Sequence, residues 1–153
     1  MFNIKKSDST RVAWCRNDAI TLGTTDVEFP IFVAPANCIL RQISWVPSAA
    51  VTQSDTNKQG IYIYNKGAAG TSSNEIISGN TTNAASGGTA ISAFNELDLE
   101  TYFGTNFSTT YNKLSAGDVV SFKNISGGAG VTLASGLLKV VYELTDPETF
   151  MRA

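Results

Sequence analysis

The 153-residue sequence contains no histidine. Histidine is the side chain whose ordinary pKa lies nearest neutral pH, so its absence excludes Ser-His-Asp and Cys-His catalytic arrangements and HExxH zinc sites. The acidic residues show one regular spacing, at Glu96, Asp98 and Glu100. In a strand these carboxylates would line one face, which we interpret as solvated, with Leu97 and Leu99 turned inward. We therefore predict that the chain is not an enzyme and uses no cofactor or metal.

Charge is also scarce, because charged residues make up 16% of the chain and the net charge is −2. Such a balance gives no electrostatic attraction to nucleic acid or to anionic membranes. The sequence has no apolar run of the roughly 18 residues that a membrane span requires, and its first residues lack the apolar stretch of a secretory signal. We predict neither nucleic-acid nor membrane partners, and we expect assembly in a cytoplasm.

Cysteine occurs only twice, at Cys15 and Cys38, without the CxxC spacing of redox and zinc sites. A single disulfide between them is one interpretation. A chain without an export signal favours the other, which is two reduced and partly buried thiols.

Helical periodicity is nearly absent, and short runs rich in Val, Ile, Phe, Tyr and Thr predict strands instead. These runs lie at residues 25–33, 38–46, 60–66, 119–124, 131–134 and 137–145. Pro30 predicts a sheet edge or a bulge, because proline lacks one ladder donor. Residues 95–103 fit either a strand or a helical turn. The pattern predicts an all-β fold, a jelly roll or β-sandwich of about eight antiparallel strands.

The predicted domain organisation has three parts. An N-terminal arm covers residues 1–16, a single β-sandwich domain covers 17–146, and a C-terminal tail covers 147–153. The polar stretch at 67–89 predicts a long exposed loop or loose hairpin, in which only residues 75–78 suit a short strand.

Two polar segments supply the candidate partner-interface residues. The arm is basic at Lys5, Lys6 and Arg11, which suits contact with an acidic neighbour, and the long loop contains Asn80. Segments of this kind become ordered when a partner buries them. We predict Lys5, Lys6, Arg11 and Asn80 as interface residues.

Two parts of the sequence resemble the jelly-roll proteins of tailed-phage virions. Residues 114–122 (LSAGDVVSF), the glycine hairpin after them and residues 136–144 (GLLKVVYEL) resemble the closing strands of such domains. Residues 32–45 (FVAPANCILRQISW) are similar to the opening strand pair. Among these proteins the head decoration, or cement, proteins are the group that the sequence resembles.

The resemblance implies a homotrimer that binds the major capsid protein on the outer capsid surface and stabilises the shell. It implies location in the virion after assembly in the host cytoplasm. Two alternatives remain open. One is a phage tail or receptor-binding module that stacks glycans on Trp45, Tyr62 or Tyr64, and the other is a carbohydrate-active enzyme that uses Glu96 and Asp98.

Overall fold

The structure is a computed structural model, and it describes residues 9–18, 26–77, 90–102, 107–129 and 132–145. Nine strands and one helical turn follow one another along these residues. The elements are β1 (Thr10–Asn17), β2 (Val27–Val33), β3 (Cys38–Pro47), β4 (Lys58–Asn65), β5 (Asn74–Ile77), β6 (Leu97–Asp98), α1 (Leu99–Tyr102), β7 (Lys113–Leu114), β8 (Val119–Gly127) and β9 (Gly136–Leu144).

The strands form two antiparallel sheets whose pairings are nested along the chain. β1 pairs with β9, β2 with β8, β3 with β6 and β4 with β5. The first sheet has the order β1-β9-β3-β6, with β7 also on β3, and the second has the order β2-β8-β4-β5. A long hairpin rolled into two layers gives this connectivity, which is that of a jelly roll. The predicted all-β sandwich is confirmed.

The core lies between the two sheets and follows the two-residue period of the strands. Leu138 and Val140 of β9 face Ile63 and Phe122 of the second sheet in one cluster, and all four are fully buried. The Trp45 ring lies 6.2 Å from the Phe122 ring and joins the two layers.

β2 shows the structural effect of Pro30. β2 is an edge strand, and its register with β8 shifts between Pro30 and Phe32, so both features expected of Pro30 occur together. The shift reverses the face of the residues that follow. Phe32 is therefore buried while Val33 is 57% exposed.

The predicted arm at 1–16 is wrong for its second half. Residues 10–17 form β1 and pair with β9 along their whole length, so the folded domain begins before residue 17. The rest of the predicted arm and the tail at 147–153 lie outside the described residues.

Three further segments differ from or refine the sequence pattern. Residues 131–134 were predicted as a strand after the glycine hairpin. The described residues 132–134 form no strand beyond a single β-bridge at Leu133. β8 pairs instead with β2 and β4, and the chain then crosses to β9 in the other sheet. The stretch at 67–89 contains β5, which pairs with β4 and buries Ile76 and Ile77. Residues 95–102 contain both predicted alternatives, since β6 is followed at once by α1.

Candidate interaction surface

Of the four predicted interface residues, the structure describes only Arg11. Arg11 is exposed in β1, and its Nη1 donates a hydrogen bond of 2.9 Å to the carbonyl of Thr10. It is thus held in the first sheet and not on an arm. Lys5, Lys6 and Asn80 lie outside the described residues, so their place in a partner interface stays a prediction.

The outer side of β1 carries two large apolar side chains. Ala13 and Cys15 turn toward the core, and the alternate residues Val12 and Trp14 turn outward. Val12 is 50% exposed and Trp14 is 58% exposed. A tryptophan that is more than half exposed is uncommon on a sheet surface, because its ring supplies more apolar area than almost any other side chain. The sequence interpretation missed both residues.

A hollow of about 410 Å³ opens where β1 and β3 end and β9 begins. Arg16, Val46 and Leu137 form part of its wall, and they are aligned by the strand register, since Arg16 lies opposite Leu137 and Leu137 opposite Val46. Arg16 is two residues after Trp14 on the same face of β1. The hollow therefore lies on the same face of the first sheet as Val12 and Trp14.

Phe94 stands at the rim of this hollow and is the most exposed large apolar residue described, at 76%. Its φ is +59°, a left-handed backbone conformation that is strained for a bulky side chain. The backbone N–H of Phe94 donates to the carbonyl of Pro47 at 2.8 Å, which ties the segment to the end of β3. We call Val12, Trp14, Val46, Phe94, Leu137 and Val141 the outer-face patch; Val141 lies directly opposite Val12 on β9.

A buried hydrogen-bonded bridge fixes the strand ends under this patch. The indole N–H of Trp45 donates to Oδ1 of Asn17 at 3.0 Å, and Nδ2 of Asn17 donates to the carbonyl of Ala134 at 2.9 Å. Trp45 is fully buried and Asn17 is 4% exposed. Gly136 allows this approach, because a Cβ at that position would lie 2.6 Å from the carbonyl oxygen of Val46.

Polar side chains also lie on the outer face of the first sheet, where Lys139 is directly opposite Trp14. Glu96 forms an ion pair with Lys139 and accepts a hydrogen bond of 2.6 Å from the hydroxyl of Ser44. The hydrogen bonds from Lys139 and Ser44 lower the pKa of Glu96. Asp98 accepts a hydrogen bond of 3.1 Å from Nε2 of Gln42. These contacts hold both carboxylates against β3 and β9.

Glu100 does not share the face of Glu96 and Asp98, because α1 begins at Leu99 and ends the strand alternation. The prediction of three carboxylates on one face is therefore wrong at its last member. One carboxylate oxygen of Glu100 is buried without a hydrogen-bond partner. Burial, followed by the nearby Asp98 carboxylate, raises the pKa of Glu100 to about 7.

The three aromatic residues proposed for glycan stacking do not lie on one surface. Trp45 is fully buried, so it cannot offer a ring face to a ligand. Tyr62 and Tyr64 lie on the outer face of the second sheet and are half-buried. Their rings are 6.2 Å apart and within 13° of parallel. Lys66 and Lys123 lie over the Tyr64 ring at 5.8 and 6.0 Å.

Both cysteines are free, as the sequence favoured, with Cys15 half-buried and Cys38 buried. Within the described ranges, no group of three His, Cys, Asp or Glu side chains could hold a metal ion. No helix in those ranges is long and apolar enough to cross a membrane.

Comparison with known proteins gives a single distant likeness to report. No family model matches the sequence, and no curated protein matches it. One chain in a structure of infectious bursal disease virus, Gx strain, aligns with a TM-score of 0.38 and 11% sequence identity. The alignment covers 92% of the present chain and 30% of that viral chain.

Proposed function

We propose that this chain is a virion structural protein of the decoration, or cement, type, which binds the major capsid protein on the outer surface of the shell and stabilises it. The observation that carries the proposal is the outer-face patch. Trp14 and Phe94 are both more than half exposed. Phe94 lines a hollow of about 410 Å³, and Arg16, two residues after Trp14 on the same face of β1, lines it too. Exposed aromatic residues grouped in this way are typical of protein interfaces.

The surroundings of the patch suit a protein partner better than a small ligand. Arg16 and Asp18 line the hollow, and an ion pair of Arg41 and Glu143 lies farther along the same sheet. Charges of both signs around an apolar centre set the orientation of a partner and contribute little affinity by themselves. The apolar centre supplies most of the affinity, and removal of one central aromatic residue commonly costs about 2–4 kcal/mol.

The proposed role is binding and not catalysis. The sequence has no histidine, and the carboxylates Glu96 and Asp98 are engaged by Lys139, Ser44 and Gln42. The proposal places the chain in the virion, on the capsid surface, after assembly in the host cytoplasm. Many copies would bind one shell, so contacts that are individually weak would together stabilise the shell strongly.

The test is co-sedimentation of the purified protein with empty shells that lack it. We expect saturable binding at a fixed ratio of copies to capsid protein. Phe94→Ala should weaken binding at least 10-fold. The matched control is Tyr111→Ala, since Tyr111 is also exposed, at 43%, but is not part of the patch. Absence of binding by the unaltered protein at micromolar concentration, or equal losses in both variants, would overturn the proposal.

A second candidate, glycan recognition by a tail or receptor-binding module, is favoured by one observation. The nearly parallel rings of Tyr62 and Tyr64 are side by side on the outer face of the second sheet, and Trp45 has no part in the arrangement. A glycan array separates the two candidates. Hits that disappear in a Tyr62→Ala variant support the second candidate, and an array without hits removes it.

A further inference from the structure

A cleft lies on the outer face of the second sheet, on the opposite side of the sandwich from the outer-face patch. Its volume is about 390 Å³, and it crosses β8 between the edge strand β2 and the loop that follows β4. Glu28 and Pro30 of β2 form one wall, Lys66 and Gly70 form the other, and Ser121 of β8 lies between them. A partner bound to the outer-face patch would leave this cleft free.

The carboxylate of Glu28 is held in a fixed position on its wall. Its Oε1 accepts a hydrogen bond of 2.6 Å from the hydroxyl of Ser121 and forms an ion pair of 3.2 Å with Nζ of Lys66. Burial acts to raise the pKa of Glu28, but these two hydrogen bonds and the charges of Lys66 and Lys123 outweigh it, so the pKa is lowered. Within the described part of the chain, both hydrogen-bonding contacts are made to Oε1. Oε2 of the ionised carboxylate can therefore accept hydrogen bonds from a ligand.

The tyrosine pair on this face adjoins the cleft. Nζ of Lys66 lies 3.2 Å from Glu28 and 5.8 Å from the centroid of the Tyr64 ring, so one side chain borders both features. The Tyr62 ring extends the aromatic surface, because it lies 6.2 Å from the Tyr64 ring and within 13° of parallel to it. The two tyrosines and the cleft thus form one continuous surface.

The strand register sets the length of this surface. Tyr62 lies opposite Lys123 of β8, and Lys123 lies opposite Glu28 of β2. Neighbouring strands are about 4.8 Å apart, so the backbone positions of Tyr62 and Glu28 are about 10 Å apart. One sugar ring is too short to contact both side chains, whereas two linked rings span the distance.

The positive charges near the tyrosines are neutralised. Lys66 is paired with Glu28 at 3.2 Å, and Lys123 is paired with Asp26 at 3.9 Å. Neither lysine therefore favours an anionic ligand over a neutral one. The surface suits a ligand that is uncharged, that has an apolar face for an aromatic ring and that carries hydroxyl donors for a carboxylate. A pyranose sugar has all three properties.

We propose that Tyr62, Tyr64 and the cleft at Glu28 form one binding site for a neutral saccharide of at least two sugar units. One sugar ring stacks on Tyr62, and a hydroxyl of the next ring donates to Oε2 of Glu28. The inference rests on the glycan-recognition candidate and adds to it the cleft, the carboxylate and the class of sugar. It does not depend on shell binding.

The test is isothermal titration calorimetry of the purified protein with neutral hexasaccharides of glucose, galactose, mannose and N-acetylglucosamine. A hexasaccharide of galacturonic acid is the acidic counterpart. We expect at least one neutral saccharide to bind with a dissociation constant below about 1 mM, and the acidic one to bind at least 10-fold more weakly.

Glu28→Gln should weaken binding of the neutral saccharide at least 10-fold, because the amide is a weaker acceptor than the carboxylate. Glu75→Gln is the matched control. Glu75 is exposed on the same face, opposite Tyr64 on β5, and it does not line the cleft. We expect the control to bind as the unaltered protein does.

A measurement on the unaltered protein keeps the test independent of how stable Glu28→Gln is. In nitrogen–proton correlation spectra, the backbone amides of Tyr62, Gly70 and Ser121 should shift as the neutral saccharide is added. The amide of Phe94, which belongs to the outer-face patch, should not shift.

Three results would overturn the inference. If Tyr62→Ala abolishes binding while Glu28→Gln and Glu75→Gln bind equally, glycan recognition stands and the cleft has no part in it. Tighter binding of the galacturonic acid hexasaccharide would reject the neutral class of ligand. No binding of any saccharide up to about 10 mM would reject the site and the glycan-recognition candidate together. Shell binding that depends on Phe94 is a separate readout and can hold in all three cases.

Discussion

Replacing Asn17 by alanine is expected to lower the free energy of unfolding by about 2–4 kcal/mol, since each buried polar group left without a partner costs about 1–3 kcal/mol. Asn17 is 4% exposed and bonds three groups at once. It accepts from the indole N–H of Trp45 at 3.0 Å, and its Nδ2 donates to the carbonyls of Ala134 at 2.9 Å and Asp18 at 3.2 Å. The change therefore leaves the indole donor and the Ala134 carbonyl unpaired inside the sandwich.

The assay is urea denaturation followed by far-UV circular dichroism, which reports on the sheets and not on either tryptophan. Asn112→Ala is the matched control, because Asn112 is 6% exposed and its amide donates only one hydrogen bond, of 3.2 Å, to the carbonyl of Leu40. We expect that control to lose about 1 kcal/mol.

A double-mutant cycle isolates the bridge from the cavity that each change creates. Trp45→Phe removes the indole donor, so the cost of Asn17→Ala should be smaller in that background by about 1–2 kcal/mol. The reasoning is refuted if Asn17→Ala costs less than about 0.5 kcal/mol, or if its cost is the same with and without the indole.

Two further predictions concern the same end of the domain and the helical turn. Gly136→Ala should destabilise the fold by about 1–3 kcal/mol in the same urea assay, because its Cβ would lie 2.6 Å from the carbonyl oxygen of Val46. Gly70→Ala, where a Cβ meets nothing within 4 Å, should cost only about 1 kcal/mol for its left-handed backbone, and equal losses would contradict the steric argument. The pKa of Glu100 is raised from an ordinary 4.5 to about 7, which means that the fold favours the protonated carboxyl. The stability that depends on this proton is complete below pH 4.5 and is lost as the pH rises to 7. Glu100→Gln should therefore leave stability unchanged at pH 4 and raise it by about 1–3 kcal/mol at pH 8; the same difference at both pH values would contradict this.

The strands that could be predicted are those whose two faces differ in polarity. In β9, Leu138, Val140 and Leu144 are buried, and Lys139 interrupts them on the other face, so the two-residue period was visible in the sequence. Pro30 similarly marked an edge and a bulge before the structure was known.

β1 could not be predicted in this way, because its two faces are alike. Ala13 and Cys15 face the core, and Val12 and Trp14 face outward. All four are apolar, so inward and outward residues do not differ in polarity along the strand. The flanking basic residues then made the segment look like a solvated arm. The outer-face patch was missed for this reason, although a tryptophan between small apolar residues was the available signal.

Register shifts and backbone strain explain the remaining differences. In β3 the register with β9 shifts between Leu40 and Gln42, so Leu40 is buried as Ile43 and Trp45 are, although it does not share their two-residue alternation. The left-handed φ of Phe94 has no signal in the sequence, since such positions usually hold glycine or asparagine. A bulge or a strained residue depends on contacts made by strands distant in the chain.

The nested pairing of the strands has a consequence for the order in which the domain can form. β9, the last of the described strands, lies between β1 and β3 and joins them into one sheet. During synthesis β1 leaves the ribosome before the other described strands, yet its partner β9 is complete only when residues as late as Leu144 have been made. Because the chain must close its longest loop before this sheet gains its hydrogen bonds, refolding is expected to be slow, on the scale of milliseconds to seconds or longer.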